Sequence, residues 1–311
     1  MEIRLGVIGQ GGTGKTELIR ALQMMLMQNM IDPGPDLEFG PVNHQSAKEE
    51  RANFEQHEAE VAKASPSRTV EARDFEYALK QGGNIVCKFV YHDAIGQLLD
   101  TPDLDQTGLN QETAFIEKIA LSNVLWVVIP IRIRFGEIMV DDSKVDLVKN
   151  YISEAIKFRN KKRISSKISL AIVMTRSDLI GSELSKETLD AIGEASEKII
   201  KKFKNFVEKN DIIWSSVLYP VSAFGFGNSI EEKISTAQNN GSQGYYLAGP
   251  TYEPWNLSKL LLWSLCAAVH QPTGGLLRRH SGPNSDLASN LSEALGGTAG
   301  PALPLKLGSY A

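Results

Sequence analysis

The chain has 311 residues, with 33 Lys and Arg against 37 Asp and Glu, and its formal net charge of −4 argues against binding to nucleic acid. Its two cysteines exclude a disulfide framework and no signal-peptide pattern opens the chain, so we expect a cytoplasmic protein. The longest apolar stretches, Val124 to Ile131 and Leu260 to Val269, are shorter than the roughly 20 residues that cross a bilayer, so no transmembrane segment is expected.

Short apolar runs alternate with polar loops and helical patterns along most of the chain. Strands alternating with helices predict an α/β fold with a mostly parallel sheet and helices on both faces. The exception is a predicted hairpin, because Gln81, Gly82 and Gly83 separate two runs with strand character. The predicted strands are Ile3 to Ile8, Val70 to Leu79, Asn84 to Tyr91, Val124 to Ile131, Ile168 to Met174 and Val217 to Val221.

The first predicted strand ends in GQGGTGKT, a complete G-x-x-x-x-G-K-[ST] motif at residues 9–16. An amphipathic helix pattern follows it, which is the context that a phosphate-binding loop needs. Glycines let successive backbone N–H groups face phosphate oxygens, and the helix N-terminus adds the positive end of its dipole. Lys15 is expected to reach the β- and γ-phosphates, and Thr16 to offer its hydroxyl to Mg²⁺. The remaining predicted phosphate-binding residues are Gly11, Gly12, Thr13 and Gly14.

The strand Asn84 to Tyr91 is followed by His92-Asp93-Ala94-Ile95-Gly96-Gln97. An Asp at the carboxyl end of a strand beside the phosphate loop is suited to hold Mg²⁺, so Asp93 is a predicted metal ligand. Gly96 is expected to give its N–H to the γ-phosphate. Gln97 directly after it is expected to orient the attacking water.

The strand Ile168 to Met174 ends in Thr175-Arg176-Ser177-Asp178. The Asp178 carboxylate is predicted to accept hydrogen bonds from the ring N–H and the exocyclic amine of guanine, a pair of donors that adenine lacks. Arg176 is predicted to lie against the base, and Thr175 to brace the phosphate loop. Alternatively, Ser177 and Asp178 only cap the next helix. After the last strand, the backbone of Ser222-Ala223-Phe224 is expected to meet the guanine carbonyl.

In this order, GQGGTGKT, DAIGQ, TRSD and SAF resemble the phosphate, magnesium and base motifs of Ras-like P-loop GTPases of the translation-factor-related class. The resemblance covers about residues 1–225 and implies a six-stranded sheet with an antiparallel second strand, a GTP/GDP cycle and two switch loops. The base motif departs from the family pattern, with Thr175 and Arg176 where Asn and Lys are common. Pro130 and the long inserts also resemble stand-alone bacterial GTPases of conflict-type gene clusters.

The resemblance also implies a threonine in the first switch that senses the γ-phosphate through Mg²⁺. Thr69, just before the strand Val70 to Leu79, is the candidate, with Ser65 and Ser67 as neighbours. The preceding segment, residues 31–68, is long for a switch. Its charged helical pattern from Ser46 to Ala64 is interpreted either as a solvated helix or as a surface for an effector or regulator.

The expected organisation is one GTPase domain over residues 1–271, with an enlarged first switch at 31–68 and a lid loop plus closing helix at 226–271. The closing helix is predicted from Leu257 to His270. Residues 272–311 are rich in Gly and Pro and are predicted to form a low-complexity, disordered tail.

These observations predict a GTP-binding switch that hydrolyses GTP slowly with Mg²⁺ and meets a protein effector or activator through its switch loops. Two alternatives stay open. The first is a nucleotide-gated interaction or scaffold module with little turnover, and the second is a P-loop ATPase or kinase.

Overall fold

The computed structural model describes residues 1–42, 73–93, 106–135, 137–181, 183–223, 225–226, 230–233, 244–247, 254–271, 283–297 and 303–306. Within these ranges the strands are β1 (Glu2–Ile8), β2 (Leu37–Pro41), β3 (Arg73–Gln81), β4 (Asn84–Asp93), β5 (Val124–Arg134), β6 (Glu137–Val140), β7 (Ile168–Thr175), β8 (Ile213–Pro220), β9 (Ile230–Lys233), β10 (Gly244–Leu247) and β11 (Leu303–Lys306). The α-helices are α1 (Lys15–Met27), α2 (Gln106–Ala120), α3 (Asp142–Lys162), α4 (Lys186–Glu208), α5 (Leu257–Val269) and α6 (Pro283–Gly297). A 3-10 turn, Ser177–Leu179, follows β7.

Nine of the eleven described strands form a mixed sheet in the order β11-β8-β7-β5-β1-β4-β3-β2, with β6 paired to the end of β5. Strands β9 and β10 pair antiparallel with each other in a separate two-stranded sheet. The five central strands of the larger sheet, β8, β7, β5, β1 and β4, run parallel. The antiparallel pairs lie at the margins: β2 with β3, β3 with β4, β11 with β8, and β6 with β5. The chain therefore has the predicted α/β fold with a mostly parallel sheet, but the sheet has nine strands where six were expected.

The predicted hairpin is confirmed, because β3 and β4 pair antiparallel from Arg73 opposite Asp93 to Gln81 opposite Asn84. Gly82 and Gly83 form its turn with φ of 54° and 78°. Positive φ at both central residues is what a type I′ hairpin turn requires, and glycine adopts it without steric cost.

Helices cover both faces of the sheet. Helices α1, α5 and α6 share one hydrophobic core with the sheet, which we call the first face, and α2, α3 and α4 share another, the second face. The predicted closing helix is confirmed as α5, which is buried along almost its whole length. Ser264 of α5 accepts a 2.8 Å hydrogen bond from the indole Nε1 of Trp126 in β5, so this helix is tied to the centre of the sheet.

The structure differs from the predicted disordered tail in residues 272–311. Helix α6 buries Leu287 and Leu291 in the first-face core, and β11 pairs antiparallel with β8. Composition led the sequence interpretation, because the segment is rich in Gly and Pro, while the helical signal is a narrow stripe of leucines spaced four residues apart. Within the part of the chain that the structure describes, no helix has both the length and the apolar character to cross a membrane.

Candidate functional site

The carboxyl ends of the parallel strands meet at one edge of the sheet, where the connections leave in different directions. Strand β1 leads into α1 on the first face, whereas the helices that follow its neighbours β4 and β5 lie on the second face. Helix α4, which follows β7, lies on the second face, and helix α5, which follows β8 along the chain, lies on the first face. Where neighbouring strands are followed by helices on opposite faces, a crevice opens at the carboxyl edge of the sheet, and open α/β sheets bind ligands there.

The loop from Gly9 to Gly14 joins β1 to α1 at this edge. Gly12 and Gly14 have φ of 68° and 86°, in the left-handed region that glycine adopts most readily. At Gly9 a Cβ atom would come within 2.9 Å of the Thr13 hydroxyl and 3.0 Å of the Val128 carbonyl oxygen in β5. Gly9 is therefore favoured by the close approach of its neighbours, whereas Gly12 and Gly14 are favoured by their positive φ. At Gly12 the backbone conformation is the reason, since a Cβ atom there would meet no other atom within 4 Å.

Lys15 is the first residue of α1 and is buried. Its ammonium Nζ donates hydrogen bonds to the carbonyl oxygen of Gly9 and, across 2.7 Å, to that of Gln10. The Thr13 hydroxyl also donates to the Gln10 carbonyl, across 2.8 Å. A positive charge is thus held inside the curve of the loop at a helix N-terminus, an arrangement that favours an anion.

The end of β7 is joined to the loop by two side chains of the predicted base motif. The buried Thr175 hydroxyl donates a 2.8 Å hydrogen bond to the carbonyl oxygen of Thr13. The Arg176 guanidinium donates to the carbonyl oxygen of Gly12 across 2.7 Å, so it lies at the loop between β1 and α1. These two bonds bring the TRSD and GQGGTGKT motifs together.

Asp178 lies in the 3-10 turn after β7, beside the end of β8. Burial raises the pKa of its carboxyl above the ordinary value, while a hydrogen bond from the Ser222 side chain and the charge of Arg176 act in the opposite direction. The backbone N–H of Ser177 donates to the carbonyl oxygen of Val221 across 3.2 Å, which holds the turn against β8. The structure therefore brings together Asp178 and Ser222, which the sequence analysis assigned separately to the base.

The predicted magnesium and water residues are only partly described. Asp93 is the last residue of β4 and lies opposite Val7 in the register, so the backbone of Asp93 lies at the same edge of the sheet as the loop from Gly9 to Gly14. Thr16 is half-buried in the first turn of α1. Thr69, Gly96, Gln97 and Phe224 lie outside the described residues, and Ala223 packs partly against the first-face core.

Sequence reasoning assigned the segment before α5 to a lid loop but did not predict its contact with the end of β8. The backbones of Trp255 and Ser222 form an isolated antiparallel bridge, and the Asn256 side-chain amide donates to the carbonyl oxygen of Pro220 across 2.8 Å. The available signal was an Asn directly before an apolar helical run, the residue type that often begins a helix.

No family model matches the chain, and no curated protein matches it. Among solved structures, a crystal structure of a mutation variant of SsGBP is similar to 71% of this chain, with 12% sequence identity and a TM-score of 0.36. The match covers 49% of that protein, so the present chain spans about half of its length. A TM-score this low carries no argument about fold or function.

Proposed function

We propose that the chain is a GTP-binding molecular switch of the Ras-like P-loop type, which hydrolyses GTP to GDP with Mg²⁺. The observation that carries the proposal is the pair of hydrogen bonds from Thr175 and Arg176 to the loop between β1 and α1. They join a loop suited to phosphates to a carboxylate suited to a purine base, which is the combination that a nucleotide requires.

The sheet supports this assignment. Six neighbouring strands of the sheet are, in chain order, β1, β3, β4, β5, β7 and β8. The second of these, β3, is antiparallel to β4, and the other five run parallel. This is the arrangement that the resemblance implies. Strands β2, β6 and β11 are then additions at the margins of the sheet.

The phosphates would lie against the loop from Gly11 to Lys15. The backbone N–H groups of Gly11, Gly12, Thr13 and Gly14 and the ammonium of Lys15 would bind the phosphate oxygens. The Lys15 Nζ would exchange its bonds to the Gly9 and Gln10 carbonyls for bonds to the β- and γ-phosphates, because charged oxygens are stronger acceptors than carbonyls.

The base would lie near Asp178, whose carboxylate accepts from two guanine donors. The Ser222 side chain is hydrogen-bonded to that carboxylate and would help to orient it before the base binds. The backbone of Ser222, Ala223 and Phe224 would meet the guanine carbonyl. Adenine lacks the paired donors, so a half-buried carboxylate at this position favours GTP over ATP.

The magnesium ion would be held by Thr16 and Asp93, with Thr69 as the candidate ligand from the first switch. Hydroxyl and carboxylate oxygens are ligands that Mg²⁺ accepts, and the ion supplies charge neutralisation at the β- and γ-phosphates. Gly96 would bind the γ-phosphate and Gln97 would orient the attacking water. A protein effector or activator would bind through the switch loops.

Single-turnover hydrolysis tests this proposal. The purified protein is mixed with GTP or with ATP, with the protein in molar excess over the nucleotide. Each reaction contains either Mg²⁺ or a chelator, and the nucleoside diphosphate formed is quantified. We expect Mg²⁺-dependent conversion of GTP and much slower conversion of ATP. Lys15→Ala should abolish conversion, while Lys157→Ala, which removes an exposed ion pair on α3, should not.

The outcomes separate the three candidate functions. GTP that binds tightly and stays intact, with and without added cell lysate, identifies a nucleotide-gated interaction module with little turnover. Preferential conversion of ATP identifies a P-loop ATPase. Failure to bind either nucleotide rejects the proposal altogether.

A further inference from the structure

We propose that Asn256, the residue directly before α5, is a positioning residue that sets the discrimination for guanine at Asp178. The inference rests on the proposed function. It concerns a contact between the predicted lid-and-helix region and the end of β8 that the sequence motifs do not include.

Ser222 is fully buried, and its side chain is hydrogen-bonded to the Asp178 carboxyl. The backbone N–H of Gly225 donates to the Ser222 Oγ across 2.8 Å, so the Ser222 hydroxyl proton is available to the carboxylate. The orientation of the Asp178 carboxylate therefore depends on where the Ser222 side chain stands.

Two backbone hydrogen bonds join Ser222 to Trp255. The Ser222 N–H donates to the Trp255 carbonyl oxygen across 3.2 Å, and the Trp255 N–H donates to the Ser222 carbonyl oxygen across 2.9 Å. The Trp255 ring packs edge-on against Phe226, with 5.1 Å between ring centroids. The end of β8 is thus held from one side by a segment that belongs to the start of α5.

Asn256, the residue after Trp255, is buried and only 5% exposed. Its side-chain Nδ2 donates to the Pro220 carbonyl oxygen across 2.8 Å, two residues before Ser222. Its backbone has φ of 65°, and the N–H of Leu260 donates to its carbonyl oxygen to begin the helix. Asparagine tolerates the left-handed region better than other side chains, so one residue both starts α5 and holds the end of β8.

The consequence is that the base site is coupled to a helix buried in the first-face core. If the Asn256 amide is lost, the Pro220 carbonyl loses this donor, and Ser222 keeps its backbone bonds to Trp255 while the preceding Val221 stays bonded to Met174 and Ser177. The Ser222 hydroxyl can then leave the Asp178 carboxylate, and the carboxylate no longer faces both guanine donors.

The test compares GDP with inosine diphosphate, which keeps the ring N–H of guanine but lacks its exocyclic amine. The ratio of the two dissociation constants reports the hydrogen bond between Asp178 and that amine. Asn256→Gly keeps the left-handed backbone and deletes the amide, and Asn256→Asp keeps the shape but replaces the donor with an acceptor. We expect both variants to reduce the preference for GDP over inosine diphosphate by about threefold or more.

Asn210→Ala is the matched control. The Asn210 Nδ2 donates to the Phe206 carbonyl oxygen across 2.6 Å at the end of α4, so the control removes an equivalent bond outside the site. Its preference for GDP should equal that of the wild type. If the Asn256 variants bind GDP with an unchanged ratio, or lose both nucleotides equally, or fail to fold, Asn256 is a structural residue only and the inference is overturned. If the wild type does not bind GDP, the proposed function itself fails.

Discussion

The hydroxyl of Thr175, at the end of β7, donates a 2.8 Å hydrogen bond to the carbonyl oxygen of Thr13 in the loop after β1. The two residues are 162 positions apart in the sequence. The bond crosses the end of β5, which lies between β1 and β7 in the sheet. It fixes the distance between the predicted phosphate site and the predicted base site.

Removing this bond should weaken nucleotide binding. Thr175→Val keeps the buried volume but leaves the Thr13 carbonyl without its donor, so the dissociation constant for GDP should rise by roughly tenfold. Thr175→Ser restores the hydroxyl and should restore the affinity, as measured by titration with a fluorescent GDP analogue. Equal affinity in the Val and Ser variants would show that the bond does not order the loop between β1 and α1.

Replacement of Gln97 should separate hydrolysis from binding. Gln97→Leu removes the amide that would orient water, so the single-turnover rate for GTP should fall by about tenfold or more. GTP affinity should stay within about threefold of the wild type, since the side chain is assigned to water and not to the nucleotide. Gln111→Leu, on an exposed position of α2, should leave both quantities unchanged. Turnover in Gln97→Leu equal to that of the wild type would reject the role.

The affinity for GDP should fall on acidification. Burial raises the pKa of Asp178 above 3.8, and the protonated carboxyl cannot accept both guanine donors, so affinity is lost as the pH falls through that raised pKa. Binding isotherms at a series of decreasing pH values would measure the loss, and the residual affinity of Asp178→Asn should not change over the same series.

Folding linkage predicts the opposite pH trend from this group. Because the folded-state pKa is raised, the contribution of Asp178 to stability is present at low pH and is lost as the pH rises through that pKa. Tighter binding at higher pH therefore cannot arise from its effect on folding. An identical pH profile in wild type and Asp178→Asn would contradict the assignment.

Helix α6 should contribute to the stability of the whole domain. Leu291 is fully buried in the first-face core, so Leu291→Ala should lower the free energy of unfolding by about 2–4 kcal/mol. Leu189→Ala, on an exposed position of α4, makes the same change in a helix and should cost less than about 1 kcal/mol. Urea unfolding measures both, and similar losses would mean that α6 does not belong to the core.

Local patterns were sufficient to predict the central strands and the loop from Gly9 to Gly14. Apolar runs and glycine spacing depend on residues close in sequence, and the predicted strand bounds agree with β1, β4, β5, β7 and β8 to within a few residues. The hairpin turn at Gly82 and Gly83 was also visible, because two glycines between strand patterns have few other uses.

The marginal elements were missed because tertiary pairing forms them. Strand β2 contains Gly40 and Pro41, which weaken any strand pattern, and it forms by pairing with β3. Helix α6 lies in a Gly- and Pro-rich segment and is stabilised by burying Leu287 and Leu291. The bond from Asn256 to Pro220 spans 36 positions, and no local signal specifies such a contact.

Exchange of base preference tests the central claim most directly. In Asp178→Asn the amide oxygen can still accept from the ring N–H of either base, but the amide NH₂ can donate to the second carbonyl of xanthine and would face the exocyclic amine of guanine. The wild type should therefore prefer GDP and the variant should prefer xanthosine diphosphate. We expect each preference to be at least about tenfold in competition titrations with Mg²⁺. Asp146→Asn, an exposed residue of α3, should keep the wild-type order. Unchanged GDP affinity in Asp178→Asn, or the same order of preference in both proteins, would contradict guanine recognition by this chain.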